Sequence, residues 1–312
     1  MSLRDHPALT GLSVLERGWL SSNNVLIHAQ GDEPGAVLVD SGHVTHAEQT
    51  VALVTHALQG RALARIVNTH LHSDHCGGNA ALQRAFDVPV FVPPGQAEAV
   101  RTWDEQALSY TPTGQRCERF AVRGVLSPGE LLQAGGRQFE VLAAPGHDPD
   151  SVVLFDRAHG LLISADALWQ NGFGVVFPEL EGESAFDAVG AVLDMIERLP
   201  VKLVVPGHGA VFNDVQPALA RARSRLAAFQ ANPQRHARHA AKVLISYHLM
   251  ERQRQTLDGL RAWAAHTSLF NTVWAQAGQA EAETPRAWSE LLAGELVASG
   301  AARRVGDTLA AS

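Results

Sequence analysis

The chain has 312 residues, 46% of them hydrophobic, and 25 Lys and Arg against 32 Asp and Glu give a formal net charge of −7. That is enough apolar material for a real core and length for about two domains, which excludes an intrinsically disordered chain. Two cysteines, Cys76 and Cys117, cannot make a disulfide framework, no stretch approaches the roughly 18 apolar residues of a membrane span, and no basic start with an apolar run precedes the first domain; a reduced, cytoplasmic protein with no membrane partner is expected.

Up to about residue 213, short β-branched runs alternate with helical patterns, the signature of mixed α/β architecture. Trp19, Asn23 and Asn24 fall in an early hairpin. Strand Ala36-Val37-Leu38-Val39 ends at Asp40, a helical pattern covers about 46 to 59, and a strand over 64 to 69 delivers His70. The polar segment 95 to 119, with Trp103 and Tyr110, reads either as a lid or as an ordinary connection. A strand over Gln138 to Leu142 runs into Pro145-Gly146-His147, and Val152 to Phe155 pairs as a hairpin with Leu161 to Ser164. That last strand ends at Asp166, a helix covers about 184 to 199, and strand Val201 to Val205 leads through Pro206-Gly207 to His208. The two strand–helix–strand units are alike, and a right-handed crossover puts the polar strand ends of each at one edge of the sheet. Pro145-Gly146 and Pro206-Gly207 are expected to play the same part, a sharp turn that presents a His.

Beyond 213 the pattern turns helical: Gln216 to Ala231, a break at Pro233, a long helical pattern to about Ala265, then a helix from Arg286 to Ala302 and a hairpin through Arg303 to Thr308. Charge shifts at the same point. Residues 1 to 213 carry 13 basic and 24 acidic side chains, and residues 214 to 312 carry 12 and 8. Two domains, 1–213 and 214–312, follow. The basic run from Arg221 to Arg261, opposed locally only by Glu251 and Asp258, reads as a solvated helical face before it reads as a polyanion site.

His70-Leu71-His72-Ser73-Asp74-His75 places three imidazoles and a carboxylate in six residues, a density that metal binding requires and structure alone seldom does. Alternate side chains at a strand end share a face, so His70 and His72 chelate one ion, while Asp74 and His75, where the chain turns away, reach a second. Joined to the other strand-end residues, the ligand set becomes His70, His72 and His147 for one ion and Asp74, His75 and His208 for the other, with Asp166 bridging. Each ion keeps an open position, as catalytic sites do, and nitrogen and oxygen donors without thiolate suit two divalent ions, zinc first, then iron or manganese. Such a pair lowers the pKa of a shared water towards about 7 and generates hydroxide. Asp74 and Asp166 are the residues assigned catalytic roles. Cys76 reads as a small buried residue, and His43, His46, His56, His159, His236, His239 and His248 as surface or capping residues.

The order Asp40-Ser41-Gly42, then Thr69-His70-Leu71-His72-Ser73-Asp74-His75-Cys76-Gly77-Gly78, then Gly146-His147, Asp166 and Gly207-His208 resembles the metallo-β-lactamase-fold hydrolases, over about two thirds of the chain. The resemblance implies a four-layer αββα sandwich with two metals at one edge, an Asp40 that orients a ligand imidazole, and an early hairpin carrying Trp19 over the metals. Asp166 resembles the glyoxalase II, lactonase and phosphodiesterase branches and disfavours β-lactam hydrolysis. Val205-Pro206-Gly207-His208-Gly209-Ala210 lacks the usual glyoxalase II sequence, and the tail from Arg286 resembles the winged-helix appendage of a β-lactamase-like subgroup that includes a single-strand endoribonuclease. The expected fold is therefore the sandwich plus a mainly helical, winged-helix-like domain. The expected activity is hydrolysis of a small ester, thioester or lactone by metal-bridging hydroxide; the alternative is a phosphodiesterase or single-strand endoribonuclease that uses the basic C-terminal domain. A small-molecule substrate is the favoured partner, ahead of nucleic acid, and a homodimer is compatible. Trp169, Asn171, Phe173 and Phe177, close after Asp166, are expected to border the pocket.

Overall fold

In a computed structural model of the chain, which describes residues 3–311, two sheets stack face to face. Strands β1 (Leu12–Leu15), β2 (Asn24–Ile27), β3 (Ala36–Val39), β4 (Leu63–Val67), β5 (Val90–Val92) and β6 (Val122–Val125) form the first, in chain order. Strands β7 (Leu131–Ala134), β8 (Arg137–Ala143), β9 (Val152–Asp156), β10 (Leu161–Ala165) and β11 (Leu203–Pro206) form the second, in the order β11-β10-β9-β8-β7. Val25, Ile27, Val37 and Val39 meet Phe139, Val141, Leu154 and Leu161 between the sheets. These strands are apolar on both faces because each sheet is also covered outside.

Helices α1 (Ala47–Leu58), the single turn α2 (Ser73–Cys76), α3 (Asn79–Phe86), α4 (Ala97–Thr102) and α5 (Tyr110–Thr113) lie between β3 and β6 in sequence. Val54 and Leu58 of α1, Leu82 of α3 and Val100 of α4 pack with Leu26, Leu38 and Ile66 on the outer face of the first sheet. Across the molecule, after the short α6 (Phe177–Leu180), helix α7 (Phe186–Arg198) and helix α8 (Val215–Ala231) cover the second sheet, where Leu193, Ile196, Leu219 and Leu226 meet Phe155, Leu162 and Val204. This is the expected four-layer αββα arrangement. Both strand–helix–strand units are present: β3 pairs with β4 and β10 with β11, each in parallel.

Residues from α9 (Pro233–Arg252) onward build a separate core. They comprise β12 (Arg254–Thr256), α10 (Leu257–His266), α11 (Ser268–Val273), α12 (Pro285–Ala298), β13 (Ala302–Val305) and β14 (Thr308–Ala311), with a small sheet ordered β12-β14-β13. Trp288, Phe270, Leu260 and Ile245 are its buried centre, and Val175 and Leu180 of the sandwich are packed into it. Because α8 shares its core with α7, we propose that the helical unit is entered at α9, and that α8 closes the sandwich.

Two helical readings are shortened. The pattern to Ala265 breaks at Gln253, whose φ of 63° ends α9, and restarts at Thr256, whose side chain accepts the amide of Gly259. The last helix stops at Ala298, ahead of Gly300 at φ 79°, because a residue in the left-handed region cannot continue it. Segment 95 to 119 packs Leu108 and Tyr110 into the outer core, and Leu108, Ser109, Tyr110, Thr113 and Gln115 also line the cavity described below.

Candidate metal centre

Donor side chains collect where the strand ends of both repeated units meet. Strand β4 stops at Val67, two residues earlier than its pattern suggests, so His70 lies in the loop behind it and His72 precedes the first turn of α2, which presents Asp74 and His75. From the other sheet come His147 after β8, Asp166 after β10 and His208 after β11. Donor atoms of His70, His72 and His147 lie within 4.8 Å of one another, as do those of Asp74, His75, Asp166 and His208. All seven sequence-predicted residues thus come together, in the two expected groups. Cys76 joins neither; its buried thiol lies 3.1 Å from the Tyr110 hydroxyl and 3.8 Å from the Cys117 sulfur.

Asp166 sits between the groups. One carboxylate oxygen is 3.3 Å from His147 Nε2, and the other is 3.5 Å from His75 Nε2 and 3.9 Å from His208 Nε2. Within the second group, Asp74 Oδ2 is 2.9 Å from His208 Nε2. In the first, His72 Nδ1 and His147 Nε2 are 2.8 Å apart.

Partners behind the ligands fix which ring nitrogen faces inward. Asp40 Oδ2 accepts from His75 Nδ1 at 2.8 Å, and the Val175 carbonyl accepts from His147 Nδ1 at 2.5 Å. Asp40 is itself held by the amide and hydroxyl of Thr69, at 2.9 and 2.8 Å. Such outer contacts set tautomer and ring orientation in metal sites. The backbone helps: Asp40 at φ 57° and Ala165 at φ 45° are both non-glycine residues at positive φ, each turning the chain where a strand of the repeated unit ends.

Both Pro-Gly turns leave no room for a Cβ, at Gly146 against Val189 and at Gly207 against Asp166, and the first also needs its backbone freedom. Gly146 has φ 137°, a conformation that side chains oppose. Gly207 is needed for space, since a Cβ there would lie 2.1 Å from Asp166 Oδ1.

Electrostatics and unmet hydrogen bonds fit divalent cations. Burial, reinforced by the neighbouring imidazoles, keeps His70 well below its usual pKa, and burial lowers His72 and His147 to about 4, so all three are neutral with lone pairs available. Burial opposes ionisation of Asp74, but His75 and His208 hold its carboxyl down at about 2. His70 Nε2 is buried without any hydrogen-bond partner among the described residues, and His75 Nε2 has only the long contacts to Asp166 at 3.5 Å and Asp74 at 3.8 Å. Buried polar atoms left unpaired are costly. A pair of cations would satisfy them.

The centre opens on a cavity of about 930 Å³, mostly apolar, bordered by Trp19, Trp169, Asn171, Phe173 and Phe177 as expected. Trp19, 57% exposed, stacks on His208 with ring centroids 5.4 Å apart and planes within 6°. Asn23 holds the His208 turn through the carbonyls of Pro206 and Gly209, at 2.9 and 2.7 Å. Sequence reasoning missed Tyr247, Arg225 and the face of α9 that completes the wall. It also misjudged two histidines, His236 and His248, whereas a third, His43, has the capping role expected of it but is not at the surface. His43 is fully buried, His236 is buried and accepts from the amide of Val176, and His248 is buried against Trp263, because each ring is neutral and packs as an apolar body with one polar contact.

The sequence profile described as the Metallo-beta-lactamase superfamily matches residues 17–208. Human "Acyl-coenzyme A thioesterase MBLAC2" is 30% identical over 164 residues, 47% of this chain and 56% of that protein. The "Hydroxyacylglutathione hydrolase" of Bdellovibrio bacteriovorus is 28% identical over 143 residues, 46% of this chain and 47% of that protein. The chain spans about half the length of these relatives. Among solved structures, TTHA1623 in a di-iron-bound form is 27% identical with a TM-score of 0.50, covering 67% of this chain and 98% of that one.

Proposed function

The chain belongs to the metallo-beta-lactamase superfamily, and from that premise we propose that it is a dinuclear metal-dependent hydrolase acting on a small acyl ester, thioester or lactone. The observation that carries the proposal is Asp166, with one oxygen facing each donor group. His70, His72 and His147 would hold one ion, Asp74, His75 and His208 the other, and Asp166 would join them. Zinc suits these donors, and the di-iron form of one similar protein makes iron the next choice. Both similar proteins named above are described as removing an acyl group from a thiol carrier, which favours a thioester.

When bound, the ion pair supplies a Lewis acid and, from a shared water, hydroxide at neutral pH. The protein's part is orientation. Asp40 and the Val175 carbonyl lock the rings of His75 and His147 with Nε2 inward. Asp74, whose carboxylate borders the cavity and stays ionised, is placed to orient a water by accepting its hydrogen bond. Trp19, Trp169 and Phe177 shield the reacting carbonyl from bulk solvent.

We read the segment from α9 as a winged-helix-like appendage, from its order of a helix, a strand, the three helices α10 to α12 and a hairpin, and from its β12-β14-β13 sheet. Use of the basic run from Arg221 to Arg261, together with that appendage, to hold RNA is the alternative reading, and ion pairing of about half the run on α8, α9 and α10 weakens it. Arg221 binds Asp214, Arg223 binds Asp194 and Glu197, Arg238 binds Glu281 and Glu295, and Arg261 binds Asp258 and Glu290. Cations already matched to carboxylates release few counterions on phosphate binding.

A hydrolase screen over thioesters, lactones, phosphodiesters and a chromogenic β-lactam, run with zinc and with manganese, tests the proposal. Cleavage of a thioester or lactone is expected, lost on chelation and restored with about two metal equivalents per chain. A reconstituted chain that binds no metal, or cleaves phosphodiesters alone, would overturn it.

A further inference from the structure

Helix α8 carries Arg221, Arg223 and Arg225 at every second position, and the three have different fates. The first two are exposed or nearly so and paired with carboxylates. Arg225 is half-buried, borders the cavity, and has no hydrogen bond or ion pair with any described residue. Among the described residues, every other arginine or lysine without a partner is exposed. The guanidinium presses on Gly172, where a Cβ would fall 2.5 Å from Nη1, so the missing side chain there is what admits it.

Beside it, α9 turns a stripe towards the same cavity: His239, Lys242, Val243, Ser246, Tyr247 and Met250. Their spacing is that of one helix face, and the stripe is about 16 Å long at 1.5 Å per residue. Its ends differ. His239 and Lys242 stand at the end near Arg225; Tyr247, 3.1 Å from Ser73 Oγ, lies beside the metal ligands; and apolar Met250 stands at the other end. Burial, then Arg225, Lys242 and Arg235, depress His239 to about 4, so positive potential concentrates at that end even though Glu295 pairs with Lys242. A desolvated guanidinium without a counter-charge is a cost in the free protein that an anionic ligand removes.

We propose that Arg225 is a specificity-determining residue that receives a carboxylate or phosphate group of the substrate while the scissile carbonyl lies at the metal centre, making the substrate class an anionic acyl thioester. This rests on the hydrolase reading above. Guanidinium geometry takes two oxygens of either anion side by side, so both sources are to be tested.

Two matched pairs of butyryl thioesters separate them: pantetheine against 4′-phosphopantetheine, and 3-mercaptopropionamide against 3-mercaptopropionate. Wild type is expected to favour the charged member of at least one pair by about tenfold or more in kcat/KM. The preference should reside in KM, shrink with added salt, collapse in Arg225→Gln and return in part in Arg225→Lys. A preference that is absent in wild type, or is the same in Arg225→Gln as in wild type, overturns the proposal. Binding of the corresponding S-butyl thioethers, followed by tryptophan fluorescence, gives a readout without turnover. If no thioester is cleaved but the charged thioether still binds wild type about tenfold tighter than Arg225→Gln, the hydrolase reading fails and the anion site stands; equal binding of charged and neutral thioethers sinks the anion site alone.

Discussion

Asp40 Oδ2 lies 2.8 Å from Nδ1 of His75, and 2.8 Å from the hydroxyl of Thr69, so a single carboxylate oxygen ties the loop before α2 to the ring that faces the second donor group. Neither residue is near the other in sequence, and the first lies outside both donor groups. Asp40→Asn keeps the shape but sets an amide N–H against the imidazole N–H. Metal affinity is expected to fall by about 10- to 100-fold, read by competition with a chromogenic chelator; unchanged affinity would remove Asp40 from any orienting role.

Asp166→Ala takes away the one carboxylate shared by the two groups. Bound metal should fall from about two equivalents towards one, and kcat by at least about 100-fold, with KM altered far less. Metal analysis alongside steady-state kinetics decides it, and full metal loading with full turnover would refute the bridge.

Gly207→Ala tests the same carboxylate without replacing it. The new methyl would lie 2.1 Å from Asp166 Oδ1 and 3.0 Å from the carbonyl carbon of Ala165. Overpacking of this kind costs about 1–3 kcal/mol. A modest drop in melting temperature with a disproportionate loss of metal is expected, whereas a variant that melts lower but loads both ions would show that the turn yields and the carboxylate stays.

His236 gives stability a pH dependence of known sign. Burial, aided by His239, lowers it to about 4, and in the neutral form it accepts the Val176 amide. Its unfolded value is near 6.5, so the unfolded chain takes up the proton first: the stabilisation is complete above pH 6.5 and is lost as pH falls towards 4, on the order of 3 kcal/mol in all. In His236→Gln, an acceptor that does not titrate, the urea midpoint should fall less steeply over that window than in wild type. Parallel curves would exclude His236 as a source of acid lability.

The donor set was legible in the sequence because metal ligation demands particular residue types, and strand ends with Pro-Gly turns mark where they emerge. Residues 70 to 75 announce a site locally, and the repeated strand–helix–strand pattern points to Asp166 and His208. Cavity walls were not legible. Arg225 belongs to a run of arginines that looks uniform in sequence, and only packing shows that Asp214, Asp194 and Glu197 engage two of them and leave the third. Buried His236 and His248 are likewise not legible as core residues, since a neutral imidazole in a core has no spacing signature. The break at Gln253 was hidden because one left-handed residue ends a helix without proline or glycine.

The spread of donors along the chain sets the order in which the centre can be assembled. His70, His72, Asp74 and His75 are adjacent as soon as that segment exists, but Asp74 and His208 are separated by 134 positions and meet at 2.9 Å. Closing a loop of that length is entropically unfavourable until both sheets have docked. Ions held between them would therefore act as a clasp across the chain, stabilising the docked sheets by binding only the state in which both are in place.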